Sequence, residues 1–246
     1  MYFYGTQIRN MKNPLILLFL VIFSASNSFA QSVTIGTQTW TTKNLNVATF
    51  RNGDLIPEVK TNEEWEAAGE NKQPAWCYYE NNTANGIKYG KLYNWYAVND
   101  YRGLAPAGWH VPTYEEWQVL STFLGGDDVA GIKMKSSYGW SGYGCAKCNG
   151  KSTEFKKICS ACKGWQVNSS EPISGNGTNS SGFAGLPGGI RVYGNFYDVG
   201  ASGDWWSSSD KSETGAWQSA LISNFSILAR QGNDKTKGFS VRCVKD

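Results

Sequence analysis

Histidine is almost missing from this chain: among 246 residues there is one, His110. Any Ser-His-Asp or Cys-His catalytic arrangement would have to use it. It stands just before a helix-start signature, where a structural role is the simpler reading. Charge is scarce too. Charged residues are 17% of the chain and the formal net charge is +3, falling to +1 once Arg9 and Lys12 leave with the leader described below. So small a balance argues against nucleic acid or an anionic membrane as partner. No apolar run reaches the roughly twenty residues needed to span a bilayer. No repeat with a period of about 20–50 residues is visible. The Gly-Gly steps at Gly125 and Gly188 lack the strand-to-helix setting of a phosphate-cradling loop.

What is present begins with a leader. The stretch Pro14 to Phe23 is apolar, follows Arg9 and Lys12, and exits through the small residues Ser28-Phe29-Ala30. Basic flank, short apolar centre and small-residue exit read as a secretory signal peptide over residues 1–30, cut after Ala30. Met11 makes the better start, because the segment from Met11 already carries every part such a signal needs. No cysteine lies near the exit, so a lipid-anchored lipoprotein is not expected. The mature chain, residues 31–246, is expected as a single extracytoplasmic domain, periplasmic, surface-bound or secreted, with no membrane insertion after cleavage.

Aromatics are 14% of the chain, with 11 Trp and 28 Gly, which describes a loop-rich fold whose core is built from rings. Ser32 to Trp40 alternates with period two around Gly36-Thr37, the pattern of a tight hairpin. Thr61-Asn-Glu-Glu64 and Thr113-Tyr-Glu-Glu116 each place Glu three residues after Thr, a capping box that predicts helices over about 61–69 and 113–124. Beyond Ser180 short strands are expected at 183–186, 191–193, 195–197, 205–208, 216–222 and 239–244, separated by Gly, Asn and Ser turns. Helices first and strands after give an α+β class. Between the halves, residues 141–175 form an insert rich in Cys, Lys, Gly and Ser.

Six cysteines divide by spacing. Cys145, Cys148, Cys159 and Cys162 form two CxxC pairs, the arrangement that offers four thiolates to a structural zinc. In an oxidising compartment the same four could instead form cross-linked disulfides, and a redox role is a third reading. Cys77 and Cys243 stand apart. As a disulfide they would close a loop of about 165 residues and contribute roughly 4 kcal/mol; two buried free thiols are the alternative.

Several strings occur together and in order: Val33 to Trp40 with Lys43-Asn-Leu45, Tyr89 to Trp95, Gly108 to Thr113 with Glu116-Trp117, Gly182 to Pro187 with Gly189 and Arg191, Trp206 to Ser209, and Gly238 to Cys243. In this order they resemble the Fibrobacter succinogenes major paralogous domain, a family of exported bacterial proteins, from Val33 to Asp246. That family looks like a branch of the C-type lectin-like fold, which also contains the formylglycine-generating, sulfatase-modifying enzymes and the variable proteins of diversity-generating retroelements. The resemblance implies two helices flanking a small twisted antiparallel sheet, paired N- and C-terminal strands, and a long loop region. The enzymes' two cysteines before the closing strand have no counterpart here, since residues 205–238 hold none. Nor does the calcium-dependent sugar site carry over: Glu171-Pro172 is followed by Ile173, and Trp-Asn-Asp is absent.

What remains is a binding surface. Arg191, Tyr193, Tyr197, Trp205, Trp217, Asn224 and Arg230 are residue types enriched at recognition hot spots, in the part of the fold where the retroelement proteins display theirs. The expectation is a non-catalytic protein recognising a protein or glycan ligand, the alternative an enzyme or enzyme-associated module related to sulfatase modification.

Overall fold

The computed structural model describes residues 31–141 and 175–246. The expected leader and the four CxxC cysteines lie outside the described residues. In chain order the elements are β1 (Ser32–Ile35), β2 (Gln38–Thr41), α1 (Asn62–Glu70), β3 (Trp76–Cys77), α2 (Thr83–Tyr89), β4 (Leu92–Tyr93), α3 (Trp95–Val98), β5 (Trp109–His110), α4 (Tyr114–Phe123), α5 (Asp127–Met134), β6 (Gly188–Val192), β7 (Asn195–Val199), β8 (Ser202–Asp210), β9 (Gly215–Ile222), β10 (Leu228–Asp234) and β11 (Val244–Lys245). The class is mixed α and β, with several small antiparallel sheets and short helices.

Local chemistry accounts for the best-formed elements. Thr61 and Thr113 cap α1 and α4, and in both the Thr side chain takes the N3 amide while the Glu side chain returns to the cap amide. Two orphan donors are thereby satisfied at each helix start. Gly36 (φ +62°) opens the two-residue turn that sets the β1–β2 register, Ile35 opposite Gln38. The closing strand then joins this hairpin: β11 pairs with β2 through Val244 and Trp40 and with β5 through Val244 and His110. N- and C-terminal strands are thus neighbours, in the sheet order β1-β2-β11-β5.

The strand expected at 239–244 is shorter than its pattern suggests. Its residues are shared out instead: Gly238 bridges to Arg191, Phe239 to Tyr93 and Ser240 to Trp205, so one segment stitches three small sheets and builds no long ladder with any. Residues 183–186 are likewise irregular, with Ala184 at φ +53° and the Phe183 and Ala184 carbonyls turned to a side chain, Arg242. Three helices escaped the pattern. α5 follows two glycines and carries Gly131 inside it, and α2 and α3 are under eight residues, too short for a visible 3.6-residue period.

Rings fill the interior. Trp205 and Trp206 are adjacent on β8 and point to opposite faces, as strand neighbours must. Each face has its own cluster: Trp205 packs with Trp40, Trp117, Phe183 and Leu221, and Trp206 with Tyr93, Trp95, Phe239 and Val241. The indole N–H groups of Trp95, Trp205 and Trp206 find Ser207 O, Asn44 Oδ1 and Tyr93 O at 2.8–2.9 Å, so these polar handles are satisfied in the core.

A second binding material is cationic. Lys91, Lys135, Arg191 and Arg242 are all buried, and no carboxylate stands within ion-pair distance of any of them among the described residues. Their partners are mostly loop carbonyls. Lys135 Nζ donates to Ile222 O, Ser223 O and Phe225 O; burial pushes its pKa down to about 8. Arg242 donates to Asn44 Oδ1, Thr41 O, Phe183 O and Ala184 O and lies 4.5 Å over the Phe183 ring. Burial lowers its pKa to about 9. Irregular backbone must satisfy its carbonyls somewhere, and here one multivalent donor serves several segments.

Candidate functional site

The β6–β7 hairpin is where exposed rings and a rigid support meet. Its register sets Ile190 opposite Tyr197, Arg191 opposite Phe196 and Val192 opposite Asn195, leaving Tyr193-Gly194 as a two-residue turn. Both turn residues have positive φ, +47° for Tyr193 and +73° for Gly194, the backbone that suits a right-twisted hairpin. Glycine adopts it freely. For an aromatic residue it is an outlier costing of order ~1 kcal/mol or more. Tyr193 nevertheless occupies the tip and is 71% exposed; Tyr197 is 48% and Val199 39% exposed.

Beneath the hairpin lies its lock. Arg191 is fully buried and donates to Gly194 O at 3.0 Å, Val59 O at 2.8 Å, Lys60 O at 3.1 Å and Thr61 O at 2.7 Å. Its guanidinium sits 4.5 Å from the Trp65 ring and 4.9 Å from the Phe196 ring. One side chain therefore ties the turn carbonyl to the segment that caps α1. Close packing adds to this: a Cβ on Gly194 would stand 2.5 Å from Asn62 Cβ, so the tip is seated on the start of α1. Phe196 faces inward with Arg191, against Tyr79 at 5.3 Å. Alternation then sends Tyr197 to the other face with Ile190 and Val192. A strained tip held by a buried arginine is a preorganised display of aromatic surface.

A second aromatic group lies on the β8–β9–β10 sheet. Tyr114, the first residue of α4, meets Trp217 of β9 with ring centroids 4.5 Å apart. Lys211 Nζ lies 4.5 Å over the Trp217 ring and the Arg230 guanidinium 5.0 Å over Tyr114. Arg230 Nη2 pairs with Asp127 at 2.7 Å, and its Nε and Nη1 are buried without hydrogen-bond partners among the described residues. Asp127 in turn accepts from Ser121 Oγ. Both aromatic residues are half-buried.

A family model for the Fibrobacter succinogenes major domain matches residues 33–245. The chain belongs to that family. No curated protein and no solved structure matches it. The family match takes in every element of the Fibrobacter succinogenes major domain described above except the first residue of β1, so both aromatic groups lie within it.

Within this Fibrobacter succinogenes major domain the seven residues expected to meet a ligand fall into different places. Tyr193 and Tyr197 come together on the hairpin; Trp217 and Arg230 share the second cluster. Arg191 and Trp205 are core residues, which corrects the surface reading: Arg191 is consumed by backbone carbonyls, and Trp205 is buried because β8 is covered on both faces. Arg230 is a support behind Tyr114, its side chain only 11% exposed. Asn224 is half-buried, in the turn whose carbonyls hold Lys135, apart from both clusters. The expected Cys77–Cys243 bridge is not formed. Among the described residues both thiols are free: Cys77, opposite Leu92 on β3, packs in one cluster and Cys243 in another, so the fold does not bring them together. Burial pushes their pKa values up to about 11 and about 12, so at neutral pH neither is a thiolate nucleophile.

Three titratable features escaped the sequence. His110 bridges two acids, Glu116 Oε1 and Asp246 Oδ1, each at 2.7 Å, tying the chain's last residue to the α4 cap. Burial opposes its charge, but the hydrogen bonds to Asp246 and Glu116 outweigh that and raise its pKa. Asp204 is buried with Ser202 Oγ at 2.5 Å, and burial raises its pKa to about 7. Tyr114 and Lys211 joined the second cluster unannounced; the one available signal for Tyr114 was its place beside the Thr113 cap.

Proposed function

We propose that this is an exported, non-catalytic binding protein of C-type lectin-like fold that recognises a protein or glycan ligand through the β6–β7 hairpin. The observation that carries the reading is Tyr193: an aromatic residue in left-handed backbone, at a hairpin tip where Asn or Gly would sit without strain, and left exposed. Strain kept at an exposed position points from the outlier to a function. Tyr197 and Val199 are exposed on the same hairpin, and the Arg191 lock lowers the entropic cost of binding because the backbone that carries the rings is already ordered. The pairing of the first and last strands is what a C-type lectin-like fold requires, and the leader supplies the route out of the cytoplasm.

The experiment is a glycan array and a panel of extracellular proteins probed with wild type and with the double variant Tyr193→Ala/Tyr197→Ala. A ligand held by wild type and weakened about a hundredfold by the double variant, at unchanged thermal midpoint, is expected of two hot-spot aromatics. Equal binding by the two proteins contradicts the proposal.

A further inference from the structure

A second site stands away from the hairpin. α1 separates them: the hairpin tip rests on Asn62 at one end of α1, while the turn after β10 meets Gly69 at the other through Thr236, roughly 10 Å farther along at 1.5 Å per residue. Beside Trp217, which pairs with Gly232 across the β9–β10 ladder, runs an open groove of about 320 Å³. Lys211, Ser212, Thr214, Gly232, Asn233 and Asp234 line it.

We propose that the Tyr114–Trp217 pair and this groove bind a neutral saccharide. A pyranose ring has an apolar C–H face and a rim of hydroxyls that both donate and accept. Recognising it takes an aromatic wall and mixed polar groups: Trp217 stands beside the groove, under Lys211 and across from Gly232, and the lining itself carries two hydroxyls, one amide, one ammonium and one carboxylate. Lys211 and Asp234 balance in charge, whereas a phosphate, sulfate or nucleic acid ligand calls for a surplus of cations. The lining is polar, whereas an apolar peptide calls for apolar walls.

The platform is already assembled. Arg230 backs Tyr114 and is itself anchored on Asp127, and the Tyr114 amide donates to Ser209 Oγ at 2.9 Å. One group must move. The Lys211 ammonium rests over the indole with no ion-pair or hydrogen-bond partner for Nζ among the described residues. Lifting it forfeits only a weak, exposed cation–π contact, and the freed ammonium then donates to a sugar hydroxyl. Gly232 makes the resting position possible, since a Cβ there would stand 2.1 Å from Lys211 Cδ.

The test is native affinity electrophoresis in gels cast with hydroxyethyl cellulose, galactomannan or xyloglucan, with polygalacturonate as the acidic comparison. At least one neutral polymer should retard wild type, and Trp217→Ala should weaken that binding by at least about tenfold. Thr214→Tyr, which fills the groove from an exposed position, should do the same without touching the core. Tyr193→Ala/Tyr197→Ala should be retarded like wild type, which separates this site from the hairpin. The proposal is overturned if no neutral polymer retards wild type, if only polygalacturonate does, or if retardation survives Trp217→Ala or Thr214→Tyr.

Discussion

Replacing Arg191 with methionine removes the hairpin lock while leaving a side chain of similar length. Four carbonyls, those of Gly194, Val59, Lys60 and Thr61, lose their donor, and the Trp65 and Phe196 rings lose the cation between them. A hydrogen bond from a charged group contributes about 1.5–3 kcal/mol, and a buried acceptor left unpaired costs about 1–3 kcal/mol. The contributions do not add, since they share one side chain and relief from burying a cation offsets part of them. A net loss of about 3–5 kcal/mol follows, a large share of the 5–15 kcal/mol typical of a domain. Urea unfolding measures it as a fall in midpoint at unchanged slope. Arg191→Lys keeps the charge but not the fork and should fall between wild type and Arg191→Met. A loss below about 1 kcal/mol for Arg191→Met would refute the claim that this arginine ties the hairpin to α1.

Other perturbations follow from buried groups. Asp204 has its folded pKa raised by burial to about 7, so its contribution is present at acid pH and is lost as pH rises from about 4 through 7. Asp204→Asn should therefore gain up to ~4 kcal/mol over wild type at pH 8 and almost nothing at pH 4; parallel pH profiles would contradict this. Gly131 lies against the chain entering β10, where a Cβ would stand 2.1 Å from Ile227 O. Gly131→Ala, which in an open helix gains ~1 kcal/mol, should instead lose about 1–3 kcal/mol by overpacking, read as a lower thermal midpoint. His110, as the chain's single histidine, gives one imidazole signal to follow by NMR titration. Its midpoint should lie above the ordinary value of about 6.5 and drop in Asp246→Asn, because one of its two acids is lost. Stability from this raised pKa is present below about pH 6.5 and fades as pH climbs through the folded value.

How much could be read from residues alone depends on range. Capping boxes and the Gly36 turn are written within four residues, and α1, α4 and the first hairpin stand where those signals put them. β10 is different: its segment Leu228 to Asp234 holds Gly, Asn and Asp, poor strand formers, and it is a strand because β9 offers it a seven-residue ladder. Arginines mislead for the same reason. Arg191 and Arg230 carry the chemistry of a binding surface, yet the groups that hold them are about 130 and 103 positions away, beyond any local pattern. Both prove to stand behind the displayed rings, Arg191 under the hairpin and Arg230 behind Tyr114. Trp205 and Trp206 differ by nothing local either; only coverage of both faces of β8 makes both core.

The hairpin account stands on Tyr193 being retained at a structural cost for recognition, and Tyr193→Asn tests that directly. Asparagine tolerates left-handed backbone, so the variant should unfold about 0.5–1 kcal/mol less readily than wild type, while binding the ligand found with the wild-type protein at least about tenfold more weakly. Higher stability with lost binding is the predicted pair of results. A variant that binds as tightly as wild type would contradict the account, whatever its stability.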